Sequence, residues 1–355
     1  MCAIRGFLAF LGCVFSLAAT SAPPRFDVRA IPLTDTEGLV TLDYFAWDPG
    51  RHQLWVPAGN LESVVVIDGL SAAVTTLKGF PSAEFTLGGR RGRLGPSSAT
   101  IGDHVVFVGS RADSSIHVID SATHERGPSF RIAPISAGWA GAPDGICYVA
   151  STRELWITRG APPLGIPSSD GALTVLDASN PYALREKAKV ALGGSPEGYA
   201  ADEGRGLFFT NLRETAETLA VGLRDHRVVS RWKSGCDEPR GLALDTARGF
   251  LFAACSSRVV AMDIQHGGAV VGSIDTGEGL DNIDYSPARR TLFAAAAKAG
   301  TLTIARVEDS GALIRLDVIP TAMGARGVVA GDGGTAYVAE PREGRILAVT
   351  PHTGN

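Results

Sequence analysis

Four short stretches set a charged residue directly before a glycine and then run into an apolar segment: APDGICYV (142–149), SPEGYAAD (195–202), EPRGLALD (238–245) and GARGVVAG (324–331). The charge changes from Asp144 and Glu197 to Arg240 and Arg326, while the glycine and the apolar run stay. A related stretch, LDNIDYS (280–286), offers Asp281 and Asn282. Brought together, these groups suit two chemistries. In the first, Arg240 and Arg326 grip a carboxylate or phosphate through paired N–H donors. Asp144, Glu197 and Asp281 then orient the arginines or take the cationic part of a zwitterion. In the second, Glu197, Asn211 and Asp281, with Asp144 and Asn282 nearby, offer oxygens to a divalent cation such as Ca2+. Such an ion would activate water against a lactone or ester. Two guanidiniums beside a cation repel it, so the favoured reading has no metal and no other cofactor.

Other catalytic signals are sparse. The seven histidines form no HxxxH or HExxH pattern. There is no CxxCH for covalent haem, no Gly-x-Ser-x-Gly elbow and no glycine-rich phosphate loop. A net charge of -4 without a basic stripe argues against nucleic acid as a partner.

The elements that must position the charges repeat along the chain. An aromatic-centred apolar run recurs at Trp55, Phe107, Trp156, Phe208, Phe252, Phe293 and Tyr337, spaced 52, 49, 52, 44, 41 and 44 residues apart. A second apolar run follows each, such as SVVVID (63–68) and SIHVID (115–120). An opening strand precedes each, and a more polar strand closes most units. Four strands at this period predict an all-β, seven-bladed propeller, one domain over residues 23–355. The seventh unit lacks a fourth strand. RFDVRAIPL (25–33) has no other home and is expected to complete it, leaving no long open edge.

In such a ring the opening strands start at one rim of a central channel. The predicted rim is Tyr44, Ser97, Asp144, Glu197, Arg240, Asp281, Asn282 and Arg326. Loops on the same face would add Asn60, Arg111, Arg159, Asn211, Lys298 and Glu340. The longest, 158–171, is a candidate lid. Gly145, Gly198, Gly241 and Gly327 are expected where the strands crowd. A third reading of the charges follows from this geometry: they pair with one another and line a wet channel. His52 and His104 fall on the opposite face, so a virginiamycin-lyase-like reaction, which needs a histidine at the mouth, finds none there.

The LWVPAGNLESVVVID of the first unit (54–68) resembles the YVTN repeat of YncE-like exported β-propellers, and similar units cover essentially all of the chain after residue 22. TLAVGL and TLTIAR, in units four and six, lack the terminal Asp of that pattern. The resemblance implies the propeller fold and an extracytoplasmic setting and is silent on activity. It leaves three roles: binding of an anionic or zwitterionic small molecule, peptide or protein partner at the rim, metal-dependent lactone hydrolysis, or a structural scaffold.

Residues 1–22 carry Arg5, an apolar run and small residues up to Ala22, the pattern of a secretory signal peptide. A lipoprotein signal at Cys13 is the alternative. No later run is apolar enough to span a bilayer, so a secreted or periplasmic monomer is expected. Cys236, just before the fifth opening strand, and Cys255, at the end of its neighbour, should form a disulfide. Cys147 reads as a small buried side chain.

Overall fold

The computed structural model describes residues 25–33, 38–87, 90–134, 141–159 and 171–352. The expected signal segment and most of the expected lid lie outside these residues.

Seven four-stranded antiparallel sheets make up the described chain, with one additional two-stranded hairpin. Blades 1 to 6 span 46–78, 96–131, 143–191, 196–233, 242–275 and 280–320. Blade 7 takes three strands from 328–351 and its fourth from Phe26–Pro32. That strand pairs antiparallel with Arg345–Pro351, from Phe26 opposite Pro351 to Pro32 opposite Arg345. The N-terminal segment thus closes the ring. Contacts between inner strands run from each blade to the next and from blade 7 back to blade 1. The hairpin, Ala83–Leu87 with Arg90–Leu94, joins blades 1 and 2 and has no counterpart in the repeat.

Each blade is apolar on both faces because its neighbours cover both. Trp55, Phe107, Trp156, Phe208, Phe252 and Phe293 are completely inaccessible. Trp156 of blade 3 stacks on Phe208 of blade 4 with ring centroids 4.7 Å apart, and Leu173, Val175, Leu219 and Val221 complete that layer. The outermost strands face water: Val74–Lys78 and Arg126–Arg131 are almost entirely exposed.

The Asp that ends many third strands closes a turn. Asp68 Oδ1 accepts from the backbone N–H groups of Leu70 and Ser71, and Asp120 Oδ1 from those of Ala122 and Thr123. A short acceptor two or three residues upstream replaces a backbone partner there. Where the repeat lacks this Asp, after Gly222, Asp225 lies in the turn and accepts from Arg227 N.

Candidate functional site

The rim is assembled by backbone contacts between blades. Gly241 N donates to Asp281 O at 2.9 Å, Asn282 N to Arg326 O at 3.0 Å and Tyr44 N to Ser97 O at 3.0 Å. These bonds set a common register. Asp43, Ser97, Asp144, Glu197, Arg240, Asp281 and Arg326 are the equivalent rim positions. Tyr44, Ser98, Gly145, Gly198, Gly241, Asn282 and Gly327 come one residue later. The glycines are required by crowding. A Cβ on Gly198 would meet Arg240 O at 2.4 Å, and one on Gly241 would meet Asp281 O at 2.6 Å. In blade 1 the glycine position holds Tyr44, so the rim charge is Asp43, one residue before the expected one.

The charges form one connected arc. Arg111 pairs with Asp144 and, at 2.8 Å, with Asp43. Arg326 lies 3.7 Å from Asp43 and 3.4 Å from Asp281. Arg240 lies 3.3 Å from Asp281 and 3.8 Å from Glu238. Arg213 lies 3.8 Å from Glu238 and 3.7 Å from Glu197. Signs alternate along the whole arc, and both ends are carboxyls: Asp144 in blade 3 and Glu197 in blade 4. Among the described residues no ion pair joins these two ends.

The two sides of the arc differ in solvation. Arg111, Asp43 and Asp144 are buried and tightly paired. Arg326 and Arg240 keep 41% and 28% of their side-chain surface exposed, and their ion pairs are long. Burial, together with the Asp144 and Asp281 charges, pushes Glu197 up to about 8. Asp144 is also raised, first by burial and against the pull of Arg111. The open ends of the arc therefore hold protons more tightly than ordinary carboxylates. Arg326 is raised, chiefly by Asp43.

Asp144, Glu197, Arg240, Asp281 and Arg326 thus come together, with Arg111 from the loop group. Asn282 is buried at the same end, below Asp281. Three further residues are occupied otherwise. Asn211 is fully buried, donating to Arg240 O at 2.6 Å and accepting from Thr218 Oγ1 at 2.7 Å. Asn60 braces the 39–41 segment, accepting from Thr41 N and donating to Leu39 O. Glu340 pairs with Arg345 and accepts from Ala322 N. Among the described residues no group of three or more His, Cys, Asp or Glu side chains is arranged to hold a metal ion. Of the alternative metal set, Asn211 is committed to the fold, and Glu197 and Asp281 each face a guanidinium.

Three site residues escaped sequence reading: Asp43, Arg213 and Glu238. Arg213 directly follows a second strand, as Arg111 does, and that shared place was the available signal. Glu238 sits on a loop with φ of 49°, in the left-handed region, and no pattern marked it. Cys236 and Cys255 form a disulfide with Cα atoms 6.1 Å apart, which anchors the loop carrying Glu238 and Arg240. Cys147 is partly buried and unpaired, its thiol pushed up to about 12 by burial. No histidine joins the arc. His117 pairs with Asp113, and His52 with Asp332.

No known protein-family profile matches the chain, and no curated protein matches it in sequence. Among solved structures, a chain of a mitotic checkpoint complex superposes with a TM-score of 0.69 at 13% identity, covering 98% of this chain and 100% of that one. A streptogramin B lyase superposes with a TM-score of 0.67 at 8% identity, covering 92% of this chain and 98% of that one. At such identities the likeness establishes the seven-bladed fold and carries no activity across.

Proposed function

We propose that this protein is an exported β-propeller that binds a zwitterionic small molecule or peptide terminus at the channel mouth, without a metal. The observation that carries the reading is the arc of alternating charges that ends in two unbridged carboxyls. In a ring of seven, Arg326 of blade 7 stands across the mouth from the junction of blades 3 and 4. A ligand ammonium between Asp144 and Glu197, taking the place of the proton that Glu197 holds, would complete the alternation. Its carboxylate would take the remaining N–H donors of Arg326 and Arg240. The half-exposed guanidiniums and their long ion pairs support this, because such pairs are cheap to re-aim. The disulfide and the YncE-like repeats fit an oxidising compartment. No helix among the described residues is long and apolar enough to cross a membrane.

Calorimetry tests the reading with ω-amino acids of graded length up to ε-aminocaproate, using caproate and hexylamine as single-charge controls. A zwitterion of matching span should bind, and both controls should bind at least about tenfold more weakly. Arg240→Ala plus Arg326→Ala should abolish the signal. Equal binding of caproate, or an unchanged signal in the double variant, refutes the proposal.

A further inference from the structure

We propose a second binding site in the far half of the channel, for a primary amine carried on an apolar body. The channel there holds a cavity of about 380 Å³, within the usual range for small-molecule sites. Tyr44 and Tyr199, with ring centroids 5.6 Å apart, line its rim end beside Asp43. Its lining continues to Trp47, Pro49 and Ala330, at the far ends of the inner strands.

The chemistry of the lining is one-sided. It includes two carboxylates, Asp43 and Asp284, and no Lys, Arg or His. Asp43 is committed to Arg111 and Arg326 at the rim. Asp284 has no cationic partner among the described residues. It accepts only from Tyr285 N at 2.8 Å and Ala330 N at 2.7 Å, so lone pairs remain on both oxygens. Burial pushes its carboxyl up to about 6, so the group is still mostly ionised at neutral pH. The phenols of Tyr44 and Tyr199 have no hydrogen-bond partner among the described residues. Leu242, Ile283 and Val328 supply apolar wall.

A half-buried, unpaired negative charge beside aromatic faces and unused hydroxyls selects a cation. Divalent metals want several anionic oxygens in a shell, and of the two lining carboxylates Asp43 is already paired with Arg111 and Arg326. An ammonium group fits better. Its three N–H donors match Asp284 and the phenol oxygens, and the apolar walls cover the rest of the molecule.

The test titrates the intact protein with phenethylamine, phenethyl alcohol and phenylacetate, following binding by calorimetry. The three probes share shape and differ in charge, so wild-type protein alone decides the main point. Only the amine should bind. Asp284→Asn should weaken it about tenfold or more, the usual loss for one charge-assisted hydrogen bond. Equal affinity for the amine and the alcohol overturns the proposal. So does the absence of any heat from the amine at millimolar concentration, or a natively folded Asp284→Asn variant with wild-type affinity.

Discussion

At the scale of single residues, Glu197 is where the arc of charges becomes sensitive to pH. Its carboxyl is pushed up to about 8, by burial first and then by Asp144 and Asp281. The unfolded chain would release that proton near the ordinary glutamate value of about 4.3. Between those two values the folded protein holds a proton that the unfolded one does not. Stability from this group is therefore complete below the unfolded value and is lost as pH rises through about 8. The raised Asp144 acts in the same direction. Melting temperature should decline from about pH 5 to about pH 9, and Glu197→Gln should flatten the decline. Parallel pH profiles for wild type and variant would contradict this. Asp43 shows where residue-level reading reached its limit. In every other charged unit a glycine or asparagine marks the place just below the rim. In TLDYF a tyrosine occupies that place, and the eye takes Tyr44 for the rim residue. Sequence cannot correct such a slip, because the register is set by inter-blade bonds such as Tyr44 N to Ser97 O.

At the scale of elements, the strands were legible and the loops were not. Trp55, Phe107, Trp156 and their equivalents recur because each must fill the gap between two sheets, a constraint that repeats with the blade. The Cys236–Cys255 pair was legible for the same reason, since adjacent strands fix how far apart their ends lie. Glu238, two residues after Cys236, was not, because a loop conformation with φ of 49° leaves no periodic trace. Asn211 shows the opposite error. Its position suggested a rim ligand, yet its amide ties blade 4 to the Arg240 carbonyl of blade 5. The disulfide gives the loop its energetic role. It closes a segment of 19 residues, worth about 3 kcal/mol of unfolded-chain entropy. Cys236→Ser plus Cys255→Ser should lower stability by about that amount in denaturant titrations. It should also weaken any rim ligand that depends on Arg240. A double variant with unchanged midpoint and slope would show that the inter-blade bonds alone hold the loop.

At the scale of the whole molecule, a ring has no free edge only if its last blade is finished. The third strand of blade 7, Arg345–Pro351, borrows its partner from the other end of the chain. The seam is more than a ladder of backbone bonds. Phe26 and Ile31 are buried; Phe26 packs with Phe293, Leu302 and Val349 across blades 6 and 7, and Ile31 packs with Leu54 and Ile346 across blades 1 and 7. Leu33 N and His352 N extend the pairing beyond the strand, to Gly344 O and Arg25 O. The closing strand thus fastens both neighbours of blade 7 as well as blade 7 itself. The seam also holds the mouth, because Arg326 enters the arc from blade 7 and meets Asp43 of blade 1. Removing residues 25–33 should therefore do two things. The exposed edge of Arg345–Pro351 would invite pairing between molecules, giving oligomers or aggregates by light scattering. Any rim binding should be lost as well, since Arg326 and Asp43 would no longer be held in register. Phe26→Ala is the milder form. It should cost about 3 kcal/mol or slightly more by the usual penalty for emptying an aromatic site, with the loss appearing mainly as faster unfolding if the seam forms last. A monomeric truncated protein that still melts like wild type would mean that six complete blades hold the seventh without its closing strand.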